Sequence, residues 1–256
     1  MSETIQCSVE AGIMLIRINR EQNKNALTHA MYSRINEAIT EAETTSSIRA
    51  TLIHGSESCF CAGNDIMDFM QNPPQGDDAP VFRFLRIISS ARKPLIAAVN
   101  GPAIGIGTTM LLHCDLVYAG DNARLQMPFA NLALCPEAAS SLLVPQMLGH
   151  RKAAELLLLG EAMNASKALE LGFVNRVTTP DQSFQLAMKS AQKLAAMAPS
   201  AIRLTKQLMK ETQADQVQQV IQREGAAFGE RLASAEAKEA FTAFLQKRPA
   251  DFSRFE

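Results

Sequence analysis

The sequence predicts an α/β core followed by a helical C-terminal region, and three observations support this fold class. Short apolar segments typical of buried strands alternate with amphipathic segments typical of helices up to about residue 177. From Gln182 onward only helical patterns remain. Glycines mark two junctions between a strand and a helix, at 61–63 and at 105–107. We therefore expect a core over residues 1–198 and a helical region over residues 199–256.

The composition is that of an ordinary globular protein and excludes several classes of function. The 256 residues are 47% hydrophobic and carry a formal net charge of −1, which gives no reason to expect a nucleic-acid partner. No apolar run reaches the length of a membrane span, and the N-terminus lacks the apolar centre of a signal peptide, so we expect a cytoplasmic protein with no membrane partner. The 5 cysteines and 4 histidines follow no ligand spacing, which predicts reduced thiols and no metal.

The strands of the core are predicted from short apolar or alternating segments bounded by turn residues. The segment Met14–Ile18 alternates apolar and polar side chains, and Leu95–Val99 is a continuous apolar run after Pro94. The last predicted strand, 173–177, follows the helix stop at Gly172. The predicted strands are 14–18, 50–55, 95–99, 116–119, 124–128 (as a short extended piece) and 173–177.

The helices are predicted from apolar spacing and from capping residues. Thr28 is a suitable N-cap for a helix to about Glu43, and Asp65 is a suitable cap for the helix after the first glycine junction. The segment 71–80, QNPPQGDDAP, is predicted to be a loop. The other predicted helices are 81–91, 108–112, 140–148, 152–159, 164–172, 200–211, 217–232 and 234–245, with Pro199 marking a break.

The second glycine junction has the chemistry of an anion site. After the strand Leu95–Val99 come the turn Asn100-Gly101-Pro102 and then Gly105 and Gly107, at the start of a predicted helix. Glycines there let backbone N–H groups face a ligand, and a helix N-terminus adds partial positive charge, which suits a phosphate or the oxyanion of an acyl group. No Gly-Lys-Ser/Thr follows, so this is not a nucleotide P-loop. A tight structural turn accounts for this stretch equally well on its own.

Three segments together resemble one known family. SCFCAGNDI (58–66), KPLIAAVNGPAIGIG (93–107) and the Pro136-Glu137 pair in LCPEAAS resemble the crotonase family, the enoyl-CoA hydratase and isomerase superfamily, and the resemblance covers nearly the whole chain. It implies a crotonase-like spiral of ββα turns, with a C-terminal helical region for oligomerisation into a homotrimer or hexamer. It also implies an acyl-CoA substrate, with coenzyme A as part of that substrate and no separate cofactor.

The resemblance implies an oxyanion hole for a thioester carbonyl. Matching the motifs places its two backbone N–H donors at Ala62 and Ile106, and Gly63 and Gly105 would allow close approach of the thioester. Lys24 is a candidate for contact with the nucleotide phosphates, although a solvated lysine explains it equally well, and capping explains Asp65 better than catalysis does. The implied substrate-binding residues are Lys24, Ala26, Gly63, Asn64, Asp65, Ile66, Gly105, Thr109, Phe129 and Lys247.

The acid and base residues favour one branch of the family. Hydratases carry two glutamates at the positions matched here by Thr109 and Phe129, neither of which is acidic. Glu137 matches the single catalytic glutamate of Δ3,Δ2-enoyl-CoA isomerases, although a carboxylate at the start of a helix also explains it. We therefore expect an isomerase that moves a 3-enoyl-CoA double bond to the 2-trans position. The alternatives are a hydratase-like enzyme acting on another acyl-CoA and a non-catalytic acyl-CoA-binding scaffold.

Overall fold

A computed structural model describes residues 3–74, 76 and 78–255 of the chain. Its main sheet has six strands in the order β1-β2-β3-β4-β6-β9. Strands β1 and β2 pair antiparallel, and every later neighbour pairs parallel. These strands are β1 (Ile5–Glu10), β2 (Ile13–Ile18), β3 (Ala50–His54), β4 (Leu95–Val99), β6 (Leu116–Gly120) and β9 (Arg176–Thr178).

A second, smaller sheet contains β5 (Pro102–Ile104), β7 (Arg124–Gln126) and β8 (Met163–Asn164). Cys61 joins β5 through an isolated parallel bridge to Ala103. Each turn of the chain therefore adds one long strand to the main sheet and a short extended piece beside it, and then enters a helix. This repeat is the spiral of ββα turns that the resemblance implies, and it brings the helix starts after Cys61 and after β5 side by side.

Helices cover both faces of the main sheet. On one face α1 and α3 enclose the larger apolar cluster, which also contains Val217, Ile221 and Phe228 of α9. On the other face α8 places Ala187 and Ala191 against the sheet. The helices are α1 (His29–Thr44), α2 (Ile66–Gln71), α3 (Pro80–Ser90), α4 (Ile106–Thr109), α5 (Ser140–Leu148), α6 (His150–Leu157), α7 (Ala165–Glu170), α8 (Pro180–Ala195), α9 (Pro199–Leu232) and α10 (Ala235–Leu245).

Most predicted elements are confirmed, including two of the predicted caps. The Thr28 hydroxyl accepts the N–H of Met31 at the start of α1, and the Asp65 carboxylate accepts the N–H of Asp68 at the start of α2. Strand β1 was not predicted. The last strand lies at 176–178 rather than 173–177, because Phe173 and Val174 are buried in the core as irregular chain. Two residues of the predicted 71–80 loop, Gln75 and Asp77, lie outside the described residues.

The prediction of separate helices at 200–211 and 217–232 is wrong. One helix of 34 residues, α9, runs through both, with Pro199 at its first turn. Residues 211–216 of this helix are all exposed, so they show no apolar face, and this absence suggested a break. Their residue types, which include Glu, Gln and Ala, nevertheless favour a helix without help from packing.

Within the described ranges no helix is both long and apolar enough to cross a membrane. Likewise, residues 3–74, 76 and 78–255 contain no group of three or more His, Cys, Asp or Glu side chains arranged to hold a metal ion.

Candidate active site

The two glycine junctions meet at one cavity of about 430 Å³. The helix starts of α2 and α4 form one side, and the C-terminal helices α9 and α10 form another. Of the predicted site residues, seven line this cavity: Ala62, Gly63, Asn64, Ile66, Gly105, Ile106 and Phe129. Lys24, Ala26, Asp65, Thr109, Glu137 and Lys247 do not line it.

The N–H of Ala62 is not available as a donor. It donates to the carbonyl oxygen of Lys24 at 3.0 Å, because the segment around Ala62 is hydrogen-bonded along its length to residues 24–27. The prediction that Ala62 supplies one oxyanion donor is therefore wrong for this structure. The motif led to this segment, but to a residue whose N–H is already hydrogen-bonded.

The next candidate donor in this segment is the N–H of Asn64. The carbonyl of Gly63 accepts the N–H of Leu27 at 2.8 Å, and no peptide bond in the described chain is cis. In a trans peptide the C=O and the following N–H point in opposite directions, so the Asn64 N–H points away from Leu27. Among the described residues it has no hydrogen-bond partner, and Asn64 lines the cavity. The buried Tyr32 hydroxyl donates to the Asn64 side-chain oxygen and fixes that side chain.

The N–H of Ile106 is the other candidate donor, and the structure leaves it available. Gly105 is the N-cap of α4 with φ of 55°, and its own N–H donates to the carbonyl of Gln126 at 2.8 Å. The first N–H groups of a helix have no partner within the helix. The Ile106 N–H has none elsewhere in the described part of the chain, and Ile106 lines the same cavity as Asn64. Two free backbone donors on adjacent helix starts can bind one oxygen that carries developing negative charge.

Gly63 makes this arrangement possible through its backbone conformation. Its φ is +96°, which L side chains rarely adopt, and an added Cβ would lie 3.0 Å from the carbonyl oxygen of Ile104. The segment is bonded on one side through Cys61 to β5 and on the other side through Gly63 to Leu27. At Gly63 the hydrogen bonding of the segment therefore switches from β5 to Leu27, and the N–H of Asn64 is left without a partner in the described structure.

Glu137 is the buried carboxyl group near this site. Only 4% of the residue is exposed, and its Oε1 has no hydrogen-bond partner among the described residues. Burial, and then the negative charge of Glu224, raise the pKa of Glu137 to about 8. The nearby Thr109 hydroxyl opposes this rise in the pKa of Glu137. The two side chains are nevertheless not joined by a hydrogen bond of ordinary geometry, and the buried Thr109 Oγ1 has no partner among the described residues.

The raised pKa of Glu137 predicts a pH-dependent stability. The folded state binds this proton more tightly than the unfolded state, so stability falls as pH rises from the ordinary value of 4.5 to about 8. Glu137→Gln removes this cost. We expect the variant to match the parent near pH 5 and to exceed it by about 3–5 kcal/mol above pH 8, in urea unfolding followed by circular dichroism.

The control for this measurement is Glu155→Gln, on the exposed surface of α6. It should show no difference from the parent that grows between pH 5 and pH 9. A Glu137→Gln protein whose stability follows the parent at every pH would show that the Glu137 carboxyl is not held neutral in the folded state.

The other predicted contacts have defined places. The Lys24 residue is exposed, and its backbone carbonyl accepts the hydrogen bond from the Ala62 N–H. The Asp65 carboxylate pairs with Arg20 at 2.6 Å in addition to capping α2, which agrees with the capping interpretation. Ala26 accepts a hydrogen bond from Arg20 through its carbonyl, and Lys247 is exposed beyond α10.

The sequence did not identify the C-terminal wall of the cavity. Four apolar residues of the C-terminal helical region line the cavity: Phe228, Leu232, Phe241 and Phe244. Their spacing of three and four residues along α9 and α10 shows one apolar face but not what that face covers. Arg248, which pairs with Glu239, also lines the cavity.

Comparisons with known proteins agree with this architecture. The sequence pattern of the family described as enoyl-CoA hydratase/isomerase matches residues 8–254. The chain is 33% identical over 255 residues to enoyl-CoA delta isomerase 2 of Rattus norvegicus, a match that covers 97% of this chain but only 65% of that protein. It is 32% identical over 255 residues to 2,3-dehydroadipyl-CoA hydratase of Escherichia coli K12, covering 98% of this chain and 99% of that protein.

A solved structure confirms the fold. The structure of OdaA from Pseudomonas aeruginosa superposes with a TM-score of 0.93 at 48% identity, covering 95% of this chain and 99% of that one. The crotonase-like fold and family predicted from the three motifs are thus confirmed. The chain belongs to the enoyl-CoA hydratase/isomerase family.

Proposed function

We propose that this protein is an acyl-CoA isomerase that converts a 3-enoyl-CoA to the 2-trans-enoyl-CoA. The Glu137 carboxylate removes a proton from C2, and the electron pair moves into the thioester to form a dienolate. The resulting carboxylic acid then returns the proton to C4. The double bond moves from C3–C4 to C2–C3, and no water or cofactor is consumed.

The N–H groups of Asn64 and Ile106 are the proposed donors to the dienolate oxygen. Both are free of partners in the described structure and line one cavity with Gly63 and Gly105. Because charge on that oxygen grows between substrate and dienolate, these donors stabilise the transition state more than the substrate. Loss of one such donor typically costs about 3 kcal/mol of transition-state stabilisation.

The observation that carries the proposal is the buried Glu137 carboxyl, whose Oε1 has no partner among the described residues and whose pKa is raised by burial to about 8. A base of raised pKa accepts a carbon-bound proton more readily and returns it as a neutral acid. Thr109 and Phe129 occupy the positions of the two hydratase glutamates, so the site offers no second carboxylate there to orient and deprotonate water.

The proposed reaction requires the acyl chain to reach Glu137, which does not line the cavity in this structure. Phe129 and Leu134 line it and are close to Glu137 in sequence. We propose that binding of the acyl chain moves side chains and so connects the cavity with the carboxyl group.

The test uses ultraviolet absorbance, because an enoyl thioester absorbs more strongly when its double bond becomes conjugated. Cis and trans 3-enoyl-CoA substrates of several chain lengths are incubated with the protein, and 2-enoyl-CoA is tested separately for hydration. A rise with 3-enoyl-CoA supports the proposal. Rapid hydration without that rise supports the hydratase alternative, and binding without either reaction supports the scaffold.

We expect isomerase kcat/KM to rise with pH and to level off above about 8. The base acts only when ionised, and the pKa of Glu137 lies near 8 in the free protein. A pH profile of kcat/KM from pH 5.5 to 9.5 checks this. A profile that is flat through pH 8, or that falls with rising pH in that range, would contradict Glu137 as the base.

We further propose that the protein assembles as a trimer or hexamer. Large apolar side chains on the outer face of α9 support this, since Leu204, Leu208 and Met209 are 54%, 57% and 76% exposed. Patches of this kind are typical of protein interfaces. Sedimentation at micromolar concentration should show an oligomer, and a monomer would contradict the proposal.

A further inference from the structure

The turn that carries Glu137 has an unusual backbone. Ala138 and Ala139 have φ of 58° and 56°, in the left-handed region that alanine rarely adopts. Both residues are fully buried, directly before the first turn of α5. Two adjacent residues in this conformation persist only where the surroundings hold them.

Two buried side chains from distant parts of the chain hold this turn. On one side the His113 ring donates from Nε2 to the carbonyl of Ala138 at 2.8 Å. On the other side the Glu224 carboxylate of α9 accepts the N–H of Ala139 at 2.6 Å and the N–H of Ser141 at 2.9 Å. Glu224 thus supplies the cap that α5 lacks from its own sequence, because the N-cap residue Ala139 has no side-chain acceptor.

From these contacts, and on the basis of the proposed isomerase function, we propose that Glu224 is a positioning residue for Glu137. It fixes the Ala138–Ala139 turn that places the Glu137 carboxyl, and its negative charge makes that carboxyl a stronger base. Neither function requires Glu224 to contact the substrate.

The charge effect follows from the order in which the two carboxyls ionise. Burial raises the pKa of Glu224 as well, but the hydrogen bonds from the Ser141 and Ala139 N–H groups oppose that rise, whereas Oε1 of Glu137 has no partner in the described structure. The two carboxylates repel each other, but Glu224 ionises first as the pH rises. Its negative charge therefore raises the pKa of Glu137. The other titratable or charged groups around the pair are Tyr32 of α1, Cys61, His113, Cys135, Arg223 and Arg231.

The decisive experiment measures the protonation of Glu137 without using catalysis. The stability difference between the parent and Glu137→Gln is recorded from pH 4 to 10 by urea unfolding, first with Glu224 and then in the Glu224→Gln background. The slope of this pH dependence falls to half its maximum, on the alkaline side, at the pKa of Glu137 in the folded protein, and this pH is taken as the midpoint. We expect the midpoint to fall by about one pH unit or more when the Glu224 charge is removed.

Glu43→Gln is the matched control. The Glu43 carboxylate also holds two backbone N–H groups, those of Arg92 and Lys93, at 3.2 and 2.9 Å. It does not contribute to the pKa of Glu137. The control should lose comparable stability but leave the midpoint unchanged. An unchanged midpoint in Glu224→Gln as well would overturn the proposal and leave Glu224 as a structural cap.

Glu224→Asp keeps the experiment decisive if the glutamine variant does not fold. The shorter side chain retains the charge but cannot reach both N–H groups, so the midpoint should stay near its parental value while isomerase kcat falls at least 10-fold through misplacement of Glu137. A midpoint that falls in the Glu224→Asp protein would contradict the charge effect. Because unfolding needs no substrate, a shifted midpoint in a protein without isomerase activity would refute the proposed function and not the role of Glu224.

Discussion

Glu137→Gln is expected to reduce isomerase turnover by ~10²–10⁴-fold. Glutamine keeps the shape of the side chain but cannot accept the proton from C2, and no other carboxylate occupies the positions of Thr109 or Phe129. The measurement is the initial rate of conjugation of a 3-enoyl-CoA at saturating substrate. Acyl-CoA affinity should change far less, because the proposed oxyanion donors are backbone N–H groups.

Thr109→Ala is the control for this prediction. Thr109 is fully buried near Glu137, but it has no assigned role in proton transfer, so its effect on turnover should be milder than that of Glu137→Gln. Equal turnover of the Glu137→Gln protein and the parent would exclude the single-base mechanism. Loss of binding together with turnover would show that Glu137 supports the structure of the site instead.

Gly107→Ala is expected to lower kcat/KM by ~10²-fold or more and to destabilise the fold by about 1–3 kcal/mol. A Cβ on Gly107 would lie 2.4 Å from the carbonyl oxygen of Cys61 and 3.1 Å from the Cys61 Cβ. Relief of this overlap must move α4 away from the 61–64 segment, since the obstructing oxygen belongs to the backbone. That movement separates the Ile106 and Asn64 N–H groups. Kinetics and urea unfolding measure the two effects.

Gly229→Ala provides the matched substitution without a clash. Gly229 lies within α9, and an added Cβ would meet nothing within 4 Å. This variant should keep its activity and gain about 0.5–1 kcal/mol of stability from the better helix propensity of alanine. If Gly107→Ala were as active as the parent, close packing of α4 against Cys61 would not control the donor geometry.

The sequence was sufficient to predict the family, the fold and the two segments that meet at the cavity. It was not sufficient to predict which peptide group faces the cavity, because that depends on the φ of Gly63 and on the bonds to residues 24–27. A motif aligns residues, whereas the direction of an N–H group is set by the peptide plane. The donor was therefore placed at Ala62, two residues before Asn64.

Contacts between distant parts of the chain could not be predicted from the sequence either. Glu224 reads in the sequence as one charged residue of a helix, and its partners Ala139 and Ser141 are more than 80 residues away. The apolar face of α10 is compatible with a subunit contact or with a cavity wall, and periodicity cannot distinguish them. These assignments required the packing of α9 and α10 against the core.

The packing of α9 has a consequence for the protein during its synthesis. The ribosome releases the α/β core first, and Phe228 and Glu224 emerge afterwards, although the core cluster and the Ala138–Ala139 turn depend on them. At ~5–20 residues per second, the nascent core waits several seconds for its missing helix. During that interval its apolar groove is open to chaperones and to other nascent chains, and the proposed base has no fixed position. The site is therefore completed only after α9 has been synthesised.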